Sequence, residues 1–389
     1  MVEGKAAPRT SSKKQKILLL YASAGAGHRS ACAAIMQSLR DLGSDADLKV
    51  IDILDFMPRV FSRIYSRGYV IIASRYPMLW YLIYESGSDL STFKPSGFWH
   101  RVFWGNMLSH LFEMLRNERP DQIVSSHFLS SWAAGYYKRK YDGDCIVSTV
   151  VTDYGVHPAW ISSDQDIVFV PTEQVRVELS AFTSYLGTSR IITAGIPIHP
   201  SFGRKKDARA LKLKYNLDPE KPTILILGGM FGSRNVREIL LSLTESRANA
   251  QLLLVAGRHY PVSERIKEHF VERGMKYQIF GYIDFMDELM AVSDLAITKA
   301  GALTTSECLA SGLPMVIFRP YPGQEERNCD YFLEQGVAVR VDQISGVSYK
   351  VDGILLEAER LERMKARALE VARPDSSEEI ARFLLESRR

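Results

Sequence analysis

The sequence predicts an α/β protein of two doubly wound domains, each with a parallel sheet, facing a central cleft. Three observations carry that expectation. Short apolar runs alternate with helical stretches from Lys16 onward, a Pro/Gly-rich and then basic segment at 195–206 (GIPIHPSFGRKK) divides the alternation, and five unusual loops follow predicted strands. The length of 389 residues suits two domains with cores of their own.

In order, the first half reads as strand KILLLYA, a glycine turn, a helix from near His28 through ACAAIMQSL, and strand LKVIDIL. An aromatic region comes next, then a helix near Phe103–Leu115 and strand DQIVSS. After a short helix come strands CIVSTVV and DIVFVP, helix EQVRVELSAF and strand RIITAG. The second half opens with PTILILGG and continues through QLLLVAG, YQIFG, LAITKAG and LPMVIF, each followed by a helical stretch. Charged amphipathic helices close the chain, one of them expected to start at a capping box from Ser376 to Glu379. The boundaries implied are a disordered basic tail at 1–15, domains at 16–198 and 199–374, and a last helix at 375–389, read as able to pack back on the first domain.

Composition excludes several classes. With 46% hydrophobic and 24% charged residues the chain is an ordinary globular sequence. A net charge of +4 is too small for nucleic-acid binding driven by overall charge. No apolar run approaches the roughly 20 residues of a membrane span. Cys32, Cys145, Cys308 and Cys329 are far apart and form no CxxC, which suggests neither a zinc site nor a disulfide framework and fits a reduced, intracellular setting.

The aromatics are unevenly spread: 13 of 40 lie between Phe56 and Trp104, among them Trp80, Trp99 and Trp104. That segment also carries six basic residues against two acidic ones, an excess equal to the whole net charge. Arg59, Arg63 and Arg67 recur every four residues, as do Phe61, Tyr65 and Tyr69, so the two stripes occupy roughly opposite faces of one helix. Two readings fit: an interfacial helix resting on anionic lipid, or a core-facing aromatic stripe with a solvated basic back.

The five loops hold the chemistry. Ser23-Ala24-Gly25-Ala26-Gly27-His28 leads into a helix whose N–H groups and dipole face the cleft, and His28 there can act as a general base kept neutral by the local positive field. The turn also approximates a dinucleotide fingerprint with Asp52 ending the next strand, but Ser30 replaces the third glycine. In Thr152–Trp160, Asp153 can orient an imidazole and His157 and Trp160 can line an acceptor site; a capped turn beside a buried Trp explains the same residues. The glycines of Gly228–Asn235, Gly229 and Gly232 among them, allow backbone to approach a diphosphate. Gly301-Ala302-Leu303-Thr304 opens another helix able to take a phosphate, with Glu307 placed for ribose hydroxyls; Thr304 and Glu307 also have capping-box spacing. Finally, Gln324, Glu325 and Asn328 suit a polyhydroxylated sugar ring, although Pro-Gly before them signifies a turn in any case.

Taken together, GAGHRSACAAI, TDYGVHPAW, GYIDFMDELMAVSDLAITKAGALTTSECLASGLP and PGQEERN resemble the glycosyltransferase family of plant monogalactosyldiacylglycerol synthases and bacterial processive diacylglycerol glucosyltransferases. This family is distantly related to the peptidoglycan N-acetylglucosaminyltransferases. The resemblance implies a GT-B fold with two Rossmann-like domains, a membrane-associated first domain for the lipid acceptor, and a second domain for UDP-sugar. It implies inverting transfer with no cofactor and no obligatory metal, at the cytoplasmic face of a membrane, peripherally attached. His28 becomes the acceptor base, assisted by Asp153, with Gly27, His157 and Trp160 on the acceptor side. Gly229 and Gly232 approach the diphosphate, with Arg258 in the turn beyond; Tyr282, Ile283 and Met286 surround the uracil, Glu307 the ribose, and Gln324 with Glu325 the sugar. Arg59, Arg63, Arg67 and the tryptophans face an anionic membrane. The implied reaction moves glucose or galactose to diacylglycerol or a glycosyl-diacylglycerol. The alternatives are transfer of N-acetylglucosamine to a polyprenyl-linked acceptor, and a noncatalytic UDP-sugar-binding protein on membranes.

Overall fold

The structure is a computed structural model. It describes residues 14–387 apart from 24, 26, 77, 80, 83–104, 142, 162–163, 182–186, 188, 232 and 258–263. The first half comprises β1 (Lys16–Tyr21), α1 (Gly27–Asp41), β2 (Asp47–Asp52), α2 (Arg59–Arg75), α3 (Ser109–Glu118), β3 (Gln122–Ser125), α4 (Phe128–Tyr141), β4 (Ile146–Val150), β5 (Ile167–Val170), α5 (Glu173–Ser180) and β6 (Arg190–Thr193). The second half has α6 (Ala208–Lys214), β7 (Thr223–Leu227), α7 (Ser233–Leu243), β8 (Gln251–Val255), α8 (Glu264–Glu272), β9 (Tyr277–Phe280), α9 (Met286–Ala291) and β10 (Leu295–Thr298). It ends with α10 (Ala302–Ala310), β11 (Met315–Phe318), α11 (Gln324–Glu334), β12 (Ala338–Val341), α12 (Gly346–Leu355), α13 (Ala358–Val371) and α14 (Ser376–Glu386).

These strands form two six-stranded sheets, in the orders β2-β1-β3-β4-β5-β6 and β12-β11-β10-β7-β8-β9. Every pairing is parallel. Helices cover both faces of such a sheet, so its strands are apolar along their whole length, and Ile17, Leu18, Leu19 and Leu20 are all fully buried. Each order reverses once, between β1 and β3 in the first sheet and between β7 and β10 in the second. A crevice opens at such a reversal because the flanking helices leave in opposite directions. Strand β12 was not among the sequence expectations; AVRV is short and carries Arg340, whose guanidinium reaches Asp342 and Glu326.

The last helix crosses back to the first half. Ile380, Ala381 and Leu384 share a core with Ile17, Leu19, Cys32 and Ile35. Ser38 and Ser377 hydroxyls pair at 2.9 Å, and the Gln122 amide donates to the Leu384 carbonyl at 2.7 Å. The capping box expected at Ser376 does not form: Asp375 is the N-cap residue, and the Ser376 hydroxyl donates to the Ile196 carbonyl at 2.6 Å. The return of the chain thus ties α14 to the segment joining the two sheets.

On α2, Phe61 and Tyr65 pack against the first-half core, so these two aromatics follow the core-facing reading. Arg59 and Arg63 are exposed on the other side, where Val60 (70% exposed) and Ile64 (63%) join them. Arg67 lies in the same helix. Trp80, Trp99 and Trp104 fall outside the described residues, as do 1–13 of the tail. Among the described residues no helix is long and apolar enough to cross a membrane.

Gly195 is where the linker and the returning chain meet. Its φ is +88°, and a Cβ there would sit 2.6 Å from Arg373 Cβ and 2.9 Å from Ser376 Cβ. Gly195→Ala is therefore expected to destabilise the protein by about 1–3 kcal/mol, combining backbone strain with overpacking. A fall in thermal midpoint by calorimetry is the readout; an unchanged midpoint would mean the junction relaxes freely.

Candidate active site

The sheet reversals place the site. At the first, α1 begins with Gly27 and His28 straight after β1, and β3 runs into Ser126-His127. At the second, β7 ends in Gly228-Gly229 and β10 in Lys299-Ala300-Gly301, which leads into α10. The two reversals touch: a Cβ on Gly27 would lie 3.4 Å from Leu303 Cδ2 in the first turn of α10, and Ala31 of α1 shares a core with Ala302 and Leu303. His28 and the phosphate-type helix start are thus neighbours across the domain boundary.

His28 is held by the backbone. Its Nδ1 lies 2.7 Å from the Ser126 carbonyl, so Nδ1 carries the proton and Nε2 keeps a free lone pair. Thr152 Oγ1 is 3.2 Å from the same nitrogen. Part of the residue still reaches the surface, but packing around the ring pushes its pKa down to about 4, against the raising effect of the Ser126 bond. The imidazole is therefore neutral at pH 7, as a proton acceptor must be.

Asp153 does something other than orient His28. Its carboxylate accepts from Trp160 Nε1 at 3.1 Å and from the Gln324 amide of α11, bridging the two halves. Burial raises its pKa to about 7, opposed by the bonds from Gln324, Trp160 and Asn328. Trp160 is buried, and His157 Nδ1 caps the turn at Pro158–Trp160 by accepting from Ala159 N–H at 3.1 Å. Trp160 is buried as the capped-turn reading has it, but the cap is the His157 imidazole and not an Asx side chain. More bonds cross there: Tyr154 N–H donates to Asn328 Oδ1 at 2.8 Å, Tyr154 and Ser306 hydroxyls pair at 2.8 Å, and Arg327 donates to the Val156 carbonyl at 2.8 Å. Tyr154 also stacks on Tyr331, ring centroids 4.7 Å apart.

On the other side, Gly301 is the N-cap of α10 and supplies no side-chain bond, which leaves the first-turn N–H groups of Ala302, Leu303 and Thr304 without a side-chain cap. The capping box proposed for Thr304 and Glu307 is absent, because both lie inside the helix. Glu307 has its pKa raised to about 8, by burial first and then by Asp287. Gly229 and Gly257 approach each other where β7 and β8 end: a Cβ on Gly257 would lie 3.5 Å from Gly229 Cα. Gly232 and Arg258 fall outside the described residues. Tyr282 is 74% exposed after β9, while Ile283 and Met286 pack on the second-half core. Glu325 accepts from Tyr321 N–H at 2.8 Å, and Asn328 uses both ends of its amide internally, its Nδ2 reaching the Ala300 carbonyl at 3.1 Å.

Sequence reasoning missed Lys299. It is 3% exposed, donates to the Arg319 carbonyl and stands 3.8 Å over the Tyr321 ring, and burial lowers its pKa against the pull of Glu325. A lysine closing an apolar strand was the available signal. Among the described residues no group of three or more His, Cys, Asp or Glu side chains is placed to hold a metal ion.

Comparison with known proteins follows the same division. The family described as Monogalactosyldiacylglycerol (MGDG) synthase matches residues 28–198, and the Glycosyltransferase family 28 C-terminal domain matches residues 223–380. The chain is a glycosyltransferase whose two halves match these two domains. A processive diacylglycerol beta-glucosyltransferase of Bacillus cereus (strain B4264) is 29% identical over 378 residues, 96% of this chain and 94% of the relative. The protein of that name from Bacillus subtilis (strain 168) is 29% identical over 276 residues, 71% of each. Among solved structures, Acinetobacter baumannii MurG superposes with a TM-score of 0.62 at 14% identity, covering 96% of this chain and 99% of that one. Anabaena Alr3699/HepE, solved with UDP and glucose, gives 0.56 at 11%, covering 96% and 100%. Likeness at that identity establishes the fold: this glycosyltransferase has the GT-B architecture.

Glu307 gives a pH prediction. A carboxyl whose pKa is raised from 4.5 to about 8 on folding holds its proton in the native state while the unfolded chain releases it. That contribution is full below pH 4.5 and is lost as pH climbs through 8. Glu307→Gln should gain thermal midpoint relative to wild type as pH rises from 5 to 9. A difference constant with pH would refute the shift.

Proposed function

We infer that this glycosyltransferase moves a hexose, glucose or galactose, from a UDP-sugar to diacylglycerol or a glycosyl-diacylglycerol at a membrane surface, with inversion at the anomeric carbon. The observation that carries the reading is the neutral His28, proton on Nδ1, beside the uncapped start of α10. The names of the Bacillus relatives support the acceptor class, and the UDP and glucose in the Anabaena structure support the donor class.

In this scheme the acceptor hydroxyl gives its proton to His28 Nε2 while its oxygen attacks the anomeric carbon. The bond from that carbon to the diphosphate oxygen breaks, and UDP leaves with the electron pair. Ser126 stabilises the resulting imidazolium through its carbonyl. The N–H groups of Ala302, Leu303 and Thr304, with the dipole of α10, offset the charge on the departing diphosphate, so the scheme requires no metal or cofactor. Gly229 lets backbone approach the diphosphate, Tyr282, Ile283 and Met286 border the base, Glu307 accepts from the ribose, and Gln324 and Glu325 accept or donate to the sugar. Asp153 fixes the acceptor loop against Gln324. Residues 16–198 form the acceptor domain and 199–374 the donor domain, with 375–389 returning to the first. The membrane contact is assigned to Arg59, Arg63, Val60 and Ile64 on the outer face of α2, at a cytoplasmic leaflet.

Purified protein given each UDP-sugar and diacylglycerol, with products read by mass spectrometry, tests the reaction. His28→Ala should lower kcat about 10²–10⁴-fold with UDP affinity intact; full transfer by that variant would remove His28 from the role. UDP binding with no transfer to any lipid would favour a noncatalytic protein. For the membrane contact, Val60→Asp combined with Ile64→Asp should weaken co-sedimentation with anionic vesicles roughly tenfold, in line with losing partial burial of two aliphatic side chains. Unchanged co-sedimentation would place the contact elsewhere.

A further inference from the structure

Strand β3 delivers two consecutive residues to one imidazole. Ser126 takes the Nδ1 proton of His28 through its carbonyl at 2.7 Å, and its hydroxyl donates to the His28 carbonyl at 2.9 Å. The next residue, His127, sets its ring edge-to-face against that of His28, centroids 4.6 Å apart and planes at 86°. His127 is 3% exposed and is itself pinned: its Nδ1 accepts from Leu129 N–H at 3.0 Å, which puts its own proton on Nε2. Phe128 lies 4.3 Å from its ring, and Tyr65 of α2 lies 6.2 Å from it.

We propose that His127 is a positioning residue for His28, its ring forming the wall that fixes the imidazole's orientation and excludes water from it, with Tyr65 backing that wall. The proposal rests on His28 being the acceptor base. Such a base must be unprotonated before substrate arrives and must hold one nitrogen toward it. The Ser126 carbonyl chooses which nitrogen is open; the His127 ring, crossed at nearly a right angle, resists rotation of the imidazole away from that carbonyl. Among the described residues the groups facing His28 are the Ser126 carbonyl, the Thr152 hydroxyl and the His127 ring, and no carboxylate or cation among them acts on it. Its neutrality therefore comes from enclosure, and His127 supplies much of that enclosure. His127 does not compete for the proton: burial holds its own pKa well below the usual histidine value, and the neighbouring His28 lowers it further.

Two substitutions separate the ring from its cap. His127→Asn keeps an acceptor for Leu129 N–H and removes the ring; His127→Phe keeps a ring and removes the acceptor. In His127→Asn the acidic limb of the kcat/KM profile should move up from near pH 4 toward the ordinary histidine value of 6.5. Its kcat should fall about tenfold with the KM for UDP-sugar unchanged. His127→Phe should leave the limb in place. The His28 ring proton, titrated by NMR, reads the same shift without turnover, and Tyr65→Ala should move it in the same direction by less. A His28 titration in folded His127→Asn identical to wild type would overturn the proposal. Wild-type transfer by His28→Ala would instead overturn the base assignment, while the NMR titration would still decide whether His127 encloses His28.

Discussion

Everything in the cleft depends on two parallel sheets presenting their reversal points to each other across a contact as small as Gly27 on Leu303. Parallel sheets send each helix away from the carboxyl ends of the strands, so α1 and α10 both aim their N-termini at the boundary. A Cβ at Gly27 would lie 3.4 Å from Leu303 Cδ2, at ordinary van der Waals contact. The proposed base and the proposed anion site are close because α1 and α10 begin on the two sides of that contact.

The same boundary is held by more than the active-site contact. Tyr154 stacks on Tyr331 and hydrogen-bonds Ser306, Asp153 takes the Gln324 amide, and Arg327 reaches Val156. Two of these partners, Gln324 and Arg327, belong to the segment proposed to hold the sugar. The turn at 153–160 and the start of α11 are therefore in direct contact, and a change at Asp153 reaches Gln324 directly. On the far side, α14 closes the chain onto α1 and the Ile196 carbonyl, so the linker is flanked by packed structure at both ends.

Helix α2 has two unlike faces. Phe61 and Tyr65 pack inward on the first-half core, Tyr65 with its ring 6.2 Å from that of His127, while Arg59 and Arg63 are exposed together with Val60 and Ile64. Of the two inward aromatics, Tyr65 is the one that backs the histidine pair in the proposed arrangement; the aliphatics Val60 and Ile64 and the arginines Arg59 and Arg63 are exposed. Periodicity alone distinguished the two faces but not which of them turned inward.

By itself the sequence determined the two-sheet architecture, the linker at 195–206, the five loops and the candidate base, because parallel strands buried on both faces must be apolar runs and glycines must mark close backbone approach. Tertiary structure decided what those residues touch. Thr304 with Glu307 and Ser376 with Glu379 had capping spacing, yet the N-cap residues are Gly301 and Asp375, since the actual N-cap follows from where the preceding segment ends. Asp153 was legible as a carboxylate near a histidine, but its partners Trp160 and Gln324 come from a turn and from the other domain. Ser126, His127 and Lys299 carried no spacing relation to the residues they hold; only the strand order, which sets β3 beside β1 and Glu325 beside Lys299, brings them to the site.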